Sequence, residues 1–177
     1  ASVMESLEWK PEKGSYIYLV PRVGTDAEPF EIGLDSGHCL HLINAFEEGS
    51  LLYLDIIEYG APIYPEYQPV PDFYQAIELG RPVRYLIDLE SKELKERTEM
   101  KYDRSPDFPS VANSRVGRRY EDFWMLGISA AGQPGRKFFD ELAHGNWGVG
   151  EVNDVYRLPA GRYFGGEPVL ISNPREA

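Results

Sequence analysis

The sequence is poor in the residues that most often cross-link a protein or bind a metal. It holds one cysteine, Cys39, and three histidines among 177 residues. A single cysteine allows no disulfide within the chain, which fits a reducing compartment. We therefore expect a cytoplasmic protein.

Long apolar runs are also missing. No stretch approaches the roughly 20 apolar residues of a membrane-spanning helix. Charged residues interrupt positions 1–12, where a secretion signal would need an apolar segment. The chain does not begin with Met, so we expect its true start to lie upstream. With 42% hydrophobic and 13% aromatic residues, the composition is that of a globular protein.

Positive charge is scarce. Lys and Arg number 18 against 29 Asp and Glu, giving a formal net charge of -11. An acidic chain repels phosphate backbones, so we expect no nucleic-acid partner. Gly145, Gly148 and Gly150 do not form a dinucleotide-binding loop, because no helix pattern follows them. No nucleophile elbow is present either.

Strand patterns dominate what is present. Twelve Tyr and eight Phe, with 17 Gly and 14 Pro, favour strands joined by turns. A helix capped by Asp72 is expected over residues 73–79, and loops over 62–71 and 101–117. This pattern predicts an all-β fold of antiparallel strands with little helix, as a sandwich, barrel or propeller. The predicted strands cover residues 15–22, 37–44, 51–58, 83–89, 94–100, 120–128, 138–143, 155–158 and 168–172, with hairpin turns at 47–50 and 90–93.

His41 is the first residue with a candidate chemical role. In a strand over residues 38–44, His41 would share a face with Cys39 and Ile43 while His38 points the other way. The two histidines would then be a poor pair of metal ligands. A lone strand histidine is more often structural than a ligand, so spacing alone assigns no metal role. Asn44 and the acids after it form either a polar strand end or a scaffold for the histidine.

Two acids have candidate supporting roles. Asp107 lies in Ser-Pro-Asp-Phe-Pro, where prolines stiffen the backbone. It is either a turn acid, the commoner case, or the acceptor that orients a metal-bound histidine. Glu167, in Gly-Gly-Glu-Pro, is either a solvated loop acid or a second such support. His144 is expected to be a surface histidine.

Four blocks of this sequence resemble blocks of the carotenoid cleavage oxygenases and follow the same order along the chain. This family includes the retinal pigment epithelial isomerase and stilbene-cleaving enzymes. The sequence His-Leu-Ile-Asn-Ala-Phe-Glu-Glu at 41–48 resembles the family's histidine block. Trp-Lys-Pro at 9–11 and Val-Pro-Arg at 20–22 resemble the strand upstream of it. Asp-Phe-Pro at 107–109 with Arg-Val-Gly-Arg at 115–118, and Gly-Glu-Pro-Val at 166–169, resemble two further blocks.

The resemblance implies a seven-bladed β-propeller with a helical cap. It implies a non-haem Fe(II) held by four histidines, some of them fixed by three acids, and cleavage of a C=C bond by O₂. We expect a carotenoid or apocarotenoid substrate, with a stilbene as the alternative. Because family members often take substrates from lipid, peripheral membrane contact of the full-length protein is also expected.

Residue by residue, His41 matches the family's third iron histidine. Asp107 matches the acid that supports this histidine, where many members have the longer Glu. Glu167 matches the last supporting acid. His38 and His144 match no ligand position. The resemblance therefore assigns one metal ligand and two supporting acids.

The number of ligands predicts a fragment. The site needs four histidines, and one of the three present fits. Residues 1–177 are therefore expected to form a single partial propeller domain of about three to four blades, part of a longer chain and inactive alone. The aromatic stretches 64–74 and 120–124 either line a hydrophobic tunnel or, as we favour, fill the core.

A competing hypothesis is a non-catalytic β-rich binding module. It predicts that His41 is buried against a backbone carbonyl with no acid nearby. A hydrogen bond between His41 and Asp107 would count against it, because the two residues are far apart in sequence.

Overall fold

The computed structural model of the chain describes residues 8–22, 26–62, 78–133 and 138–171. Within these ranges the chain forms ten strands and two short 3₁₀ turns, Pro11–Lys13 and Asn113–Arg115. No helix in them is long and apolar enough to cross a membrane. The strands are β1 (Ser15–Leu19), β2 (Phe30–Leu34), β3 (Leu42–Glu48), β4 (Leu51–Tyr59), β5 (Gly80–Asp88), β6 (Glu93–Glu99), β7 (Asp107–Ser110), β8 (Asp122–Gly127), β9 (Glu141–Asn146) and β10 (Glu151–Arg157).

These strands pair into three antiparallel sheets. β1 and β2 form a two-stranded sheet; β3, β4, β5 and β6 form what we call the first four-stranded sheet; β7, β8, β9 and β10 form the second. In both four-stranded sheets, neighbours in space are neighbours in sequence. Such a four-stranded meander is the architecture of a propeller blade. The prediction of an all-β, antiparallel fold with little helix is confirmed.

The first four-stranded sheet buries both of its faces. One face of β4, carrying Leu52 and Ile56, packs with Ile32 of the two-stranded sheet. The opposite face, carrying Ile57 and Tyr59, packs against the second four-stranded sheet. The sheets are therefore stacked face to face, as adjacent blades are. The buried core residues contributed by the second sheet and its flanking segments include Tyr120, Phe123, Met125, Leu126, Phe139 and Ala143.

The two predicted hairpin turns, at 47–50 and 90–93, join β3 to β4 and β5 to β6 in the first four-stranded sheet. β4 pairs with β5 in continuous register from Leu51 opposite Asp88 to Tyr59 opposite Gly80. Gly80 is required there, since a Cβ at this position would lie 2.3 Å from the Tyr59 ring. The turn before β4 centres on Gly49, whose φ of 64° suits glycine.

Other strand predictions were wrong in part. The strand predicted over residues 37–44 begins only at Leu42 and continues to Glu48, and His38 makes an isolated bridge to Tyr59. His41 therefore precedes the strand, and the expected sharing of a strand face with Cys39 does not occur. Strands β2 and β7 were not predicted, and β9 begins three residues later than expected. No strand forms over residues 168–171.

The aromatic stretch at 120–124 contributes to the core. Tyr120 is 5% exposed and Phe123 is fully buried. The predicted helix capped by Asp72, the loop at 62–71 and the aromatic stretch at 64–74 lie essentially outside the described residues.

Candidate functional site

His41 lies at the entrance to β3, the edge strand of the first four-stranded sheet. Its carbonyl oxygen accepts a hydrogen bond from the backbone N–H of Ile57 on β4, at 3.2 Å. One residue later the β3–β4 register shifts between Leu42 and Asn44. This irregularity turns the chain before regular pairing begins, and leaves the His41 side chain 42% exposed.

Asp107 fixes one ring nitrogen of His41. It is the first residue of β7, its side chain is 1% exposed, and its Oδ1 lies 2.7 Å from His41 Nδ1. A carboxylate accepts hydrogen bonds, so Nδ1 is the donor, and in the neutral imidazole Nε2 then carries the lone pair. The described residues place no partner on Nε2. A metal-bound histidine commonly donates its other ring N–H to an acid in this way, so the contact is compatible with a metal ligand, and the metal role of His41 stays a prediction.

A bulge in β7 sets the direction of the Asp107 side chain toward His41. Asp107 pairs with Leu126 and Ser110 with Trp124, so two residues of β7 lie opposite one of β8. Ser105 and Phe108, on either side of Asp107, have positive φ angles of 43° and 51°. Both precede a proline, a position that favours extended backbone with negative φ. Each such residue costs on the order of 1–3 kcal/mol, so the surroundings must hold it.

Three contacts hold this segment. The Tyr59 hydroxyl donates to the Pro106 carbonyl oxygen. Ser105 Oγ donates to the carbonyl oxygen of Glu78 at 2.6 Å. The Phe108 ring packs edge-on against Phe139, with ring centroids 5.3 Å apart. The strained backbone around Asp107 is therefore anchored from β4, from the segment before β5 and from the core.

His38 and His41 have different surroundings. The His38 ring lies near Trp9 and Tyr59, at centroid distances of 6.1 and 6.4 Å. With Cys39, it lines a largely apolar cavity of about 890 Å³ between the two-stranded sheet and the first four-stranded sheet. Burial lowers the pKa of His38, against the opposing effect of the Asp107 charge. The structure thus gives His38 an aromatic environment and His41 a carboxylate.

His144 and Glu167 lie away from this pair. His144 is in β9, where its Nε2 lies 2.9 Å from Asp122 Oδ1 and its ring stacks on Trp124. Glu167 is exposed, and no described residue forms a hydrogen bond or ion pair with its side chain. Its role as a supporting acid stays a prediction. Among the described residues, no group of three or more His, Cys, Asp and Glu side chains could hold a metal ion.

Asn44 connects β3 to the second sheet. Its Nδ2 donates to the carbonyl oxygens of Arg115 and Arg118, at 3.0 and 3.3 Å. Its Oδ1 accepts from the N–H of Gly117 at 2.9 Å. Asn44 therefore fixes the loop between β7 and β8, and its expected role as a scaffold for His41 stays a prediction.

A buried ionic cluster, missed by the sequence analysis, connects the same two sheets. Asp55 is fully buried and binds Arg84 through two hydrogen bonds of 2.7 Å. Tyr120 donates its hydroxyl proton to Asp55 at 2.5 Å and accepts one from Trp147 Nε1 at 3.1 Å. The Arg84 guanidinium lies 4.5 Å from the Trp147 ring centroid. The sequence feature that could have predicted this cluster is the presence of two charged residues, Asp55 and Arg84, inside otherwise apolar strands.

The whole chain, residues 1–177, matches the family described as retinal pigment epithelial membrane protein. The chain belongs to this family. It is 27% identical over 177 residues to the apocarotenoid-15,15'-oxygenase of Synechocystis, covering 96% of this chain and 34% of that protein. It is 25% identical over 173 residues to the isoeugenol monooxygenase of Pseudomonas nitroreducens, covering 94% and 34%.

Solved structures agree with this membership. The cobalt-substituted Synechocystis enzyme superposes with a TM-score of 0.75 at 28% identity, covering 94% of this chain and 34% of that one. The chain spans about one third of the length of these relatives. The family match over residues 1–177 and the likeness to this solved structure confirm the predicted family, whose members include oxygenases.

Proposed function

We propose that this chain is part of a non-haem Fe(II) oxygenase that cleaves a C=C bond with O₂. His41 is one of the metal ligands, acting through Nε2, and Asp107 holds its ring through Nδ1. The observation that carries this proposal is the 2.7 Å contact between two residues 66 positions apart. The non-catalytic module predicted no acid beside His41, so the same contact counts against it.

His41 fits iron as one of several ligands. A neutral imidazole suits Fe(II), and a buried carboxylate on its other nitrogen fixes the tautomer and raises ligand basicity. When bound, the iron would supply open coordination positions for reaction of O₂ with the alkene. In the neutral ring, Nε2 of His41 would present its lone pair to the metal, and Nδ1 would keep its proton and donate it to the Asp107 carboxylate.

Further ligands must come from outside this chain. Among the described residues no acid forms a hydrogen bond with His38. Both ring nitrogens of His144 face carboxylates, Asp122 at 2.9 Å and Asp154 at 3.9 Å, so we assign neither histidine to iron. The chain alone is then expected to bind iron weakly and to be inactive, as part of a longer propeller. Glu167 is proposed to support a histidine of that longer protein.

The substrate is proposed to be an apolar alkene. Carotenoid or apocarotenoid is favoured, in line with the name of the Synechocystis relative. A stilbene is the alternative, and the isoeugenol monooxygenase relative makes a smaller phenylpropenoid a third compound to assay. We propose a cytoplasmic enzyme, with peripheral membrane contact where the substrate is drawn from lipid.

The direct test is an oxygenase assay on the full-length protein loaded with Fe(II). Apocarotenal, a stilbene and isoeugenol are supplied under O₂, and the carbonyl products are identified by mass spectrometry. We expect cleavage of at least one alkene, lost on removal of iron by a chelator or of O₂. Fully iron-loaded protein that leaves all three substrates intact would contradict the proposal.

A further inference from the structure

Phe108 combines features that a simple core residue does not need. It follows Asp107 in the β7 bulge, and its φ is 51° although a proline comes next. Its ring contacts the His41 imidazole, with centroids 5.2 Å apart and planes inclined by 41°. The same ring packs edge-on against the buried Phe139. Phe108 therefore lies between the candidate ligand and the core.

In a regular strand, Asp107 and Phe108 could not both reach His41. Successive side chains of a strand point to opposite faces of the sheet, so only one of two neighbours would face a given partner. The bulge and the positive φ remove this alternation. Both side chains then contact the same imidazole, Asp107 at Nδ1 and Phe108 through its ring.

We propose that Phe108 is a positioning residue that holds the His41 imidazole in the orientation needed for metal binding. The inference rests on the proposed metal role of His41. A single hydrogen bond fixes one ring atom and leaves the imidazole free to rock about it. The Phe108 ring, itself braced by Phe139, restricts that motion. The strained backbone brings the two restraints, the Asp107 hydrogen bond and the Phe108 ring contact, onto the same imidazole.

This role differs from plain packing in what substitutions should do. If Phe108 only fills space, Leu should replace it with little effect on metal binding. If the ring positions His41, Phe108→Leu should weaken metal binding although the core stays filled, and Phe108→Tyr should restore it. Loss of a partner that orients a ligand typically weakens metal affinity about 10–100-fold.

The test uses the full-length protein and measures Co(II) affinity together with the visible spectrum of the bound Co(II), which reports ligand geometry. We expect Phe108→Leu to lower affinity about tenfold or more and to change the spectrum. Phe108→Tyr should remain close to the unsubstituted protein in both measurements. Urea unfolding of each variant checks that the fold is kept.

A pair of small substitutions tests the backbone. Phe108→Ala keeps the strain of a positive φ, whereas Phe108→Gly relieves it. The Gly variant should therefore unfold at a higher urea concentration than the Ala variant. Both lack the ring, and both should bind Co(II) weakly. Lys92→Gly is the matched control, because Lys92 also has a positive φ, 58°, but lies in the turn between β5 and β6. It should leave Co(II) affinity unchanged.

The outcomes separate the two proposals. Unchanged affinity and spectrum in Phe108→Leu would overturn the positioning role, whatever His41 does. Unchanged affinity in His41→Ala would overturn the metal role of His41 itself. Should the Gly and Ala variants fold poorly, the comparison of Leu with Tyr still decides, because both keep a large side chain at position 108 and only Tyr keeps the aromatic ring.

Discussion

Nδ1 of His41 and Oδ1 of Asp107 are 2.7 Å apart, although the first residue precedes β3 and the second begins β7. The two strands belong to different four-stranded sheets. The orientation of the candidate ligand therefore depends on how these sheets pack. The Asn44 contacts and the Asp55 cluster connect the same two sheets, so they stabilise the geometry in which the pair forms.

Removing one partner of the Asp55–Arg84 pair should be strongly destabilising. Asp55 is fully buried and the Arg84 side chain is 18% exposed, so either residue alone would be left as an unpaired charge. Burial acts to lower the pKa of Arg84, but the hydrogen bonds and charge of Asp55 raise it overall. We expect Arg84→Met to lower the free energy of unfolding by about 3–5 kcal/mol, measured in urea.

The control for this pair is an exposed one. Lys95 lies 3.2 Å from Glu93, with side chains 44% and 65% exposed. Lys95→Met should change stability by less than about 1 kcal/mol. An effect of Arg84→Met no larger than that would show that the buried cluster contributes little to sheet packing.

Asn44→Ala should loosen the loop between β7 and β8. The substitution removes three hydrogen bonds to backbone groups of residues 115, 117 and 118. We expect a loss of about 1–3 kcal/mol in unfolding free energy, because these groups are left without their partner. Trypsin should cleave faster after the exposed Arg115 and Arg118, which limited proteolysis with mass spectrometry would detect. Unchanged cleavage rates at both sites would contradict this role of Asn44.

His38 should make the fold less stable at acid pH. Its pKa is lowered by burial, so the folded state binds this proton less readily than the unfolded chain does. Its contribution is fully present above the ordinary histidine pKa of about 6.5 and is lost as the pH falls below it. We expect His38→Gln to flatten the pH dependence of unfolding free energy between pH 5 and 7. A slope that is the same in both proteins would contradict the expectation.

Glu167 has a separate prediction. If it supports a histidine of the full-length protein, Glu167→Gln should lower Fe(II) affinity about 10–100-fold without lowering stability. Isothermal titration of both proteins measures this. Glu151→Gln, at another exposed acid, is the control and should bind iron as the unsubstituted protein does. Equal affinities of Glu167→Gln and the control would leave Glu167 as a solvated acid.

The sequence predicted those parts of the fold that depend on local pattern. The β3–β4 and β5–β6 hairpins follow from alternating apolar residues and clear turns. β7 was missed because Pro109 and the bulge break that alternation, and β2 because it is short and contains Gly33. Each of these strands pairs with the adjacent strand across a loop instead of a tight hairpin turn, and strand propensity does not report such pairing.

In the candidate site too, local sequence pattern predicts some features, and others depend on contacts between the sheets. The assignment of Asp107 to His41 came from family resemblance, since no spacing rule relates residues 66 positions apart. Asp55 and Arg84 lie directly opposite each other in the β4–β5 register. Their connection to Tyr120 and Trp147 depends on sheet stacking, which the sequence pattern does not contain. The positive φ of Phe108 was likewise invisible, because a residue before proline is expected to be extended.

His41 is proposed to bind the metal through Nε2, and Asp107 to hold the His41 ring in place. The most direct measurement is Fe(II) affinity of the full-length protein and of its His41→Ala, Asp107→Asn and His144→Ala variants, each checked for folding. We predict loss of tight binding in His41→Ala, a fall of about 10–100-fold in Asp107→Asn, and no change in His144→Ala. Iron bound as tightly by His41→Ala as by the unsubstituted protein would contradict the claim.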